Sequence, residues 1–202
     1  MAEQPAPAPT ILFVCTGNVC RSPYMEHSLR AALAELGVAD LVVRSAGTRA
    51  LRGHGMAPPM AERLRSRGID TSAFRATGLG TELLETAGIV ITATREHRRE
   101  VVSASFDSAD RTFTLAQLTR LLAADAAPYD AASADPLGTV PLGTVPGLVR
   151  AAHAAQGWMT TSASADDDLE DPWLRPRRVY RRVADRIDDL MIPLAVRLAA
   201  GA

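Results

Sequence analysis

Val14-Cys15-Thr16-Gly17-Asn18-Val19-Cys20-Arg21-Ser22-Pro23 sets a thiol and a guanidinium at the two ends of a short loop, with five residues between them. The branched apolar run Ile11-Leu12-Phe13-Val14 precedes it, and a Ser-Pro pair suited to a first helical turn follows. A loop of this length between a strand end and a helix start can turn successive backbone N–H groups inward, making an anion nest on the positive end of the helix dipole. The spacing therefore predicts a phosphate cradle built from Thr16, Gly17, Asn18, Val19, Cys20, Arg21 and Ser22, with Cys15 as the nucleophile in its floor. Gly17 and Asn18 are the residue types that tolerate the positive φ such a loop needs. Arg21 offers a planar fork for two phosphoryl oxygens. The field that holds a dianion also favours thiolate over thiol at Cys15, and the Ser22 hydroxyl is placed to donate to that sulfur when it leaves. The weight lies on spacing and context, because all 22 basic residues are arginine and an arginine at any one position is unremarkable in itself.

A chain of 202 residues, 47% hydrophobic, is long enough to bury one domain core. A net charge of −1 argues against a general nucleic-acid binder. No apolar run reaches the length of a membrane span. Residues 1–10 are Ala/Pro-rich and read as a disordered leader without the pattern of a signal peptide, which suggests a cytoplasmic protein. The two cysteines, Cys15 and Cys20, both fall in the loop, and His27, His54, His97 and His153 are too scattered to make a zinc site with them.

Strand and helix signals alternate. A helix over Tyr24 to Leu36 stops at Gly37, a strand takes Leu41-Val42-Val43, and a helix from Pro58 to Arg67 stops at Gly68. A strand over Gly88 to Thr92, a helix over Arg95 to Ser103, a strand over Arg111 to Thr114 and a helix over Leu115 to Ala124 follow. This order implies an α/β fold, a four-stranded parallel sheet with helices on both faces and a ligand site at the C-terminal strand ends. In the last helix Val179, Val183, Ile187, Leu190, Leu194 and Leu198 form one apolar stripe, and Pro193 is expected to kink it or end its regular part near Met191. The domain is expected over residues 11–198, with 125–170 as an insertion containing a repeat of Pro-Leu-Gly-Thr-Val, a short helix over Leu148 to Gln156 and a Ser/Thr/Asp-rich tail. Two readings of it stand open, a solvated linker and a substrate-selecting lid.

The cradle segment closely resembles the active-site signature of the low-molecular-weight protein tyrosine phosphatases, in their bacterial form. The likeness continues in Arg44-Ser45-Ala46-Gly47-Thr48, in Ser66-Arg67-Gly68-Ile69-Asp70-Thr71-Ser72 and in Asp171-Pro172-Trp173, and covers residues 10–124 and 171–198. The resemblance implies hydrolysis of protein phosphotyrosine through a phosphocysteine on Cys15, without a cofactor or metal, in a chain whose partner is its phosphoprotein substrate. It implies that Asn18 fixes the loop backbone, that Ser45 joins that network, and that Cys20 can cap the nucleophile in a reversible disulfide. Two departures stand out. Phe74 occupies a place where family members often carry a histidine that bonds to Asn18 and Ser45, and Thr94 one where an aspartate is common.

Phosphoryl transfer to sulfur also needs a group that protonates the leaving oxygen and later takes a proton from water. Asp171 is the candidate: Pro172 stiffens the turn after it and Trp173 can wall an aromatic substrate. The resembling family carries its acid in the same motif. Asp135-Pro136 is the rival, lacking the aromatic residue. Asp166, Asp167, Asp168 and Glu170 read as a solvated charged face, and Tyr180 as packing or a regulatory site. Two other functions compete with phosphotyrosine hydrolysis: arsenate reduction resolved by a small-molecule thiol, and non-catalytic phosphoprotein binding.

Overall fold

The computed structural model describes residues 10–124, 143–158 and 165–200. Strand β1 (Thr10–Cys15) leads through the loop into helix α1 (Arg21–Glu35), β2 (Val42–Gly47), α2 (Pro58–Arg65), α3 (Thr81–Thr86) and β3 (Ala87–Thr92). Then come α4 (Arg95–Ala104), a 3₁₀ segment (Phe106–Arg111), β4 (Thr112–Thr114), α5 (Leu115–Ala124), α6 (Val145–Trp158), a 3₁₀ turn (Ala165–Asp167) and α7 (Arg177–Ala199).

All strand pairs are parallel, in the order β2-β1-β3-β4. The chain leaves β1 toward β2 and returns on its other side as β3, so the C-terminal end of β1, where Cys15 sits, is the point at which the winding reverses and a crevice opens. Side chains alternate across the sheet as the pleat requires. Ile11, Phe13 and Cys15 face a core filled by α1, α2, α5, α6 and α7, while Leu12, Val14 and Val90 face a smaller cluster closed by Leu84 of α3 and Val101 of α4.

The sequence boundaries need several corrections. Thr10, assigned to the leader, is the first residue of β1 and is buried. Strand β2 runs on to Gly47 because the polar residues Arg44 and Ser45 pair with Leu12 and Phe13 in the ladder, which a short apolar run could not reveal. Helix α3 and the 3₁₀ segment are additional elements, too short to carry a periodic pattern. Gly37 and Gly68 stop their helices as expected, each with φ +78°. The apolar stripe of α7 is buried throughout, but Pro193 does not end the helix, which continues to Ala199. No helix among the described residues is long and apolar enough to cross a membrane.

Between residues 143 and 158 the chain is neither linker nor lid. Val145, Leu148, Ala151, Ala152 and Ala155 of α6 are buried in the main core, against α5 and β3. The first copy of the repeat and the rival acid Asp135 lie outside the described residues. Leu148→Ala removes a fully buried side chain and is expected to cost about 2–5 kcal/mol in urea unfolding, where a solvated linker position would cost about 0.5 kcal/mol or less.

Candidate active site

The loop between β1 and α1 is shaped by its carbonyls. Cys15 O accepts from Thr48 N–H at 2.9 Å, Thr16 O from Arg49 at 2.9 Å, Gly17 O from Leu51 at 3.0 Å, Val19 O from Ala57 at 2.8 Å and Cys20 O from Tyr24 at 3.2 Å. With these oxygens bonded outward, the N–H groups of residues 16–20 find no acceptor among the described residues. That is the arrangement of an anion nest, where the orphan donors await an oxyanion. The segment after β2 that supplies the donors lies hard against the loop: a Cβ on Gly47 would stand 2.5 Å from Thr16 O and 2.9 Å from Asn18 N, so only glycine fits there. Gly17 does not use the left-handed region. Asn18 does, at φ +52°, and its side chain explains why it is held there.

Asn18 Nδ2 donates to Ser22 Oγ at 2.9 Å and to Ser45 Oγ at 2.8 Å, while its Oδ1 accepts from Thr77 N–H at 2.7 Å. Ser45 in turn donates to Glu26 Oε2 at 2.6 Å. Because the oxygen of Ser22 already accepts from Asn18, its own proton is free for Cys15 Sγ, 3.0 Å away, or for Ala46 O at 3.3 Å. The network that a histidine serves in many family members is thus rebuilt here by a backbone amide and a carboxylate. Burial pushes the Glu26 carboxyl up, the direction expected of an acid taken into the domain. Phe74 packs edge-on against His27, with ring centroids 5.7 Å apart.

Arg21 is 3% exposed, and its fork is aimed by acceptors. Nη1 donates to Leu169 O at 3.1 Å and Nη2 meets Asp171 Oδ2 at 2.8 Å, leaving the buried Nε–H without a partner among the described residues. A buried unpaired donor is costly unless something binds it. Asp171 is half exposed, and its Oδ1 accepts from Trp173 N–H at 3.2 Å, the turn that Pro172 sits in. Cys15, Thr16, Gly17, Val19, Cys20, Arg21, Asp171 and Trp173 share one pocket of about 140 Å³, closed by Arg49 and Leu51. The sequence-predicted residues therefore come together. Asn18, Ser22 and Ser45 stand behind that wall.

Cys20 is a free buried thiol beside Tyr180. Burial, helped by the nearby charges of Cys15 and Asp171, pushes it up to about 12, so it stays a neutral thiol and does not compete as nucleophile. The Tyr180 oxygen accepts from Leu174 N–H at 3.2 Å, and the ring is buried, which fits packing. The acidic run is exposed as expected at Asp166, Asp168 and Glu170, but Asp167 is buried, and Asp167, Asp168 and Glu170 pair with Arg120, Arg95 and Arg182.

His97 supports the loop through Thr16, a role that no local pattern around it signals. Buried at the start of α4, it has Nε2 2.8 Å from Thr16 Oγ1 and Nδ1 2.6 Å from Thr94 Oγ1, while Thr94 Oγ1 accepts from its backbone N–H and caps the helix. Burial, then the Arg21 guanidinium, lowers His97 to about 4, which leaves the ring neutral at physiological pH. An unfolded histidine titrates near 6.5, so between about 6.5 and 4 the unfolded chain takes up the proton first and stability falls with falling pH. His97→Gln is expected to remove up to about 3 kcal/mol of acid-dependent loss from the unfolding free energy across that window, read by urea unfolding at stepped pH.

Comparison with known proteins agrees with the geometry. The family described as "Low molecular weight phosphotyrosine protein phosphatase" matches residues 10–134. The chain is 33% identical over 120 residues, 59% of its own length and 78% of the relative's, to "Probable low molecular weight protein-tyrosine-phosphatase EpsP" of Ralstonia nicotianae. It is 28% identical over 189 residues, covering 93% of itself and 95% of the relative, to a protein-arginine-phosphatase of Geobacillus stearothermophilus. Among solved structures, the low molecular weight protein tyrosine phosphatase of T. tengcongensis superimposes with a TM-score of 0.63 at 28% identity, over 92% of this chain and 97% of that one. With its thiol, amide cradle and arginine on the loop that the matched region contains, the chain belongs to the low molecular weight phosphotyrosine protein phosphatase family, and is a phosphatase of that hydrolase class.

Proposed function

We propose that this phosphatase acts on phosphotyrosine in proteins, with Cys15 as nucleophile, Arg21 and the loop amides as phosphate ligands, and Asp171 as general acid and then base. The observation that carries the reading is the single pocket in which a cysteine floor, unpaired amides, an unpaired guanidinium Nε–H and a rim carboxylate converge. A bound phosphoryl dianion takes the N–H groups and draws Arg21 from Asp171, leaving that carboxyl beside the leaving-group oxygen. The Cys15 thiolate attacks phosphorus, the P–O bond to the aryl group breaks, and Asp171 delivers its proton to the departing phenolate. Water then attacks the phosphocysteine, Asp171 takes a water proton, and the S–P bond breaks to give inorganic phosphate. Ser22 donates to the sulfur as it leaves, and the network through Asn18, Ser45 and Glu26 frees that proton for the task.

Val19, Leu51 and Trp173 line the pocket with apolar surface that suits an aromatic ring. A phosphoarginine side chain, the group named for the Geobacillus relative, would bring a guanidinium to a mouth where Arg49 is already paired with Glu100 and where Asp171 is the sole carboxylate lining the pocket among the described residues. The apolar lining, more than charge, is what favours phosphotyrosine. We place the protein in the cytoplasm, where reducing conditions keep a catalytic thiol free.

Phosphotyrosyl peptides are expected to be cleaved with a kcat/KM at least about tenfold above phosphoarginyl peptides of the same sequence, a difference of about 1.4 kcal/mol in transition-state binding; the reverse order overturns the substrate assignment. Cys15→Ser is expected to abolish turnover and phosphoenzyme trapping in rapid quench. Asp171→Asn should lower the rate about 10²- to 10⁴-fold for aryl phosphates with poor leaving groups, with little loss for good ones.

A further inference from the structure

The acid arrives at the pocket on a segment that the rest of the fold grips residue by residue. Ala93 N–H donates to Val14 O at 2.8 Å, one residue before the nucleophile, and Leu169 N–H donates to Ala93 O at 2.9 Å. The loop of the acid is therefore tied through Ala93 to the end of β1. Leu169 is buried and its carbonyl takes Arg21 Nη1. On one side of it Asp167 pairs with Arg120 of α5, and on the other Glu170 pairs with Arg182 of α7.

The anchor of most consequence is Asp168, three residues before the acid. Its Oδ2 meets Arg95 Nη2 at 2.8 Å, and Arg95 Nε lies 3.2 Å from both carboxylate oxygens. Its Oδ1 also accepts the Arg95 backbone N–H at 2.7 Å, at the first residue of α4, where that donor lacks an intrahelical partner and the helix dipole favours negative charge. One carboxylate thus binds both the side chain and the main chain of a helix that starts three residues after β3. An exposed ion pair alone would be worth little. Here the value is geometric, because a displacement of about 1 Å in a group that transfers a proton costs on the order of 10²-fold in rate.

We propose that Asp168 is a positioning residue for phosphoryl transfer: gripped by Arg95, it fixes the loop so that Asp171 stands within proton-transfer distance of the leaving-group oxygen. Its neighbours in the run serve other ends. Asp167 is almost wholly buried, so its pair with Arg120 supports folding, and Glu170 with Arg182 is an exposed pair. Asp168 and Arg95 are each about one-third exposed, so replacing either leaves the core intact. The inference rests on the reading of Asp171 as the acid.

An acid's contribution grows as the leaving group becomes poorer, and this separates misplacement from general damage. In Asp168→Asn, kcat/KM is expected to fall about ten- to a hundredfold for phenyl phosphate and phosphotyrosine but less than about threefold for 2,4-dinitrophenyl phosphate, with an unfolding midpoint close to wild type. In an Asp171→Asn background the same change should cost nothing further, since no acid remains to be positioned. Should Asp168→Asn fail to fold, Arg95→Gln reads the same split. Equal losses across all leaving groups, no loss at all, or a full additional loss in the Asp171→Asn background would overturn the proposal. If Asp171→Asn itself shows no dependence on the leaving group, the acid assignment fails; if it does and Asp168→Asn does not, only the role of Asp168 fails.

Discussion

The outward bonding of the loop carbonyls is the constraint on which the site depends. Residues 48–57 and Tyr24 take the oxygens of Cys15, Thr16, Gly17, Val19 and Cys20, and each peptide unit that commits its oxygen outward presents its N–H inward. The cradle is thus enforced by the segment after β2 as much as by the loop. Gly47 belongs to the same device, since any side chain there would push that segment away. An anion entering the pocket finds its donors already oriented, which is where electrostatic stabilisation of a charged transition state comes from.

Around that cradle the side chains divide their protons so that each faces one task. Glu26 takes the Ser45 proton, which leaves Ser45 oxygen for Asn18; Asn18 then occupies the Ser22 oxygen, which leaves the Ser22 proton for sulfur. His97 extends the order to the other flank through Thr16 and Thr94. Arginine does the rest of the work in a chain that has no lysine. A guanidinium can bond in several directions at once, and Arg21 uses this to hold backbone and carboxylate together: the Leu169 carbonyl and Asp171 on its two terminal nitrogens, with Nε left unpaired among the described residues.

Much of this was legible in residue order. Parallel strands alternating with helices and the loop after β1 could be read, because apolar periodicity and a ten-residue motif are local signals, and Cys15, Arg21 and Asp171, singled out as candidates, line one pocket. Residues whose partners are distant could not. His97 looks like any histidine on a charged helix until β3 and β1 lie side by side. The run Asp166 to Glu170 reads as solvated, and three of its acids are exposed, but the arginines that α4, α5 and α7 bring to it are invisible in the sequence. The change to Phe74 threatened a network that Thr77 and Glu26 complete from other elements. A short helix over Leu148 to Gln156 was legible as well, but that α6 belongs to the core showed only in its burial against α5 and β3.

By itself, then, the sequence determined the make-up of the loop: a cysteine, an arginine and a turn-forming asparagine at fixed spacing between a strand and a helix, since that spacing constrains the backbone within ten residues. The tertiary structure alone decided which protons those groups share and where the Asp171 carboxylate stands. Hydrogen-bond direction and carboxylate position are set by neighbours as far away along the chain as Leu169 and Asp171 are from Arg21, and only folding brings such partners to 3.1 and 2.8 Å.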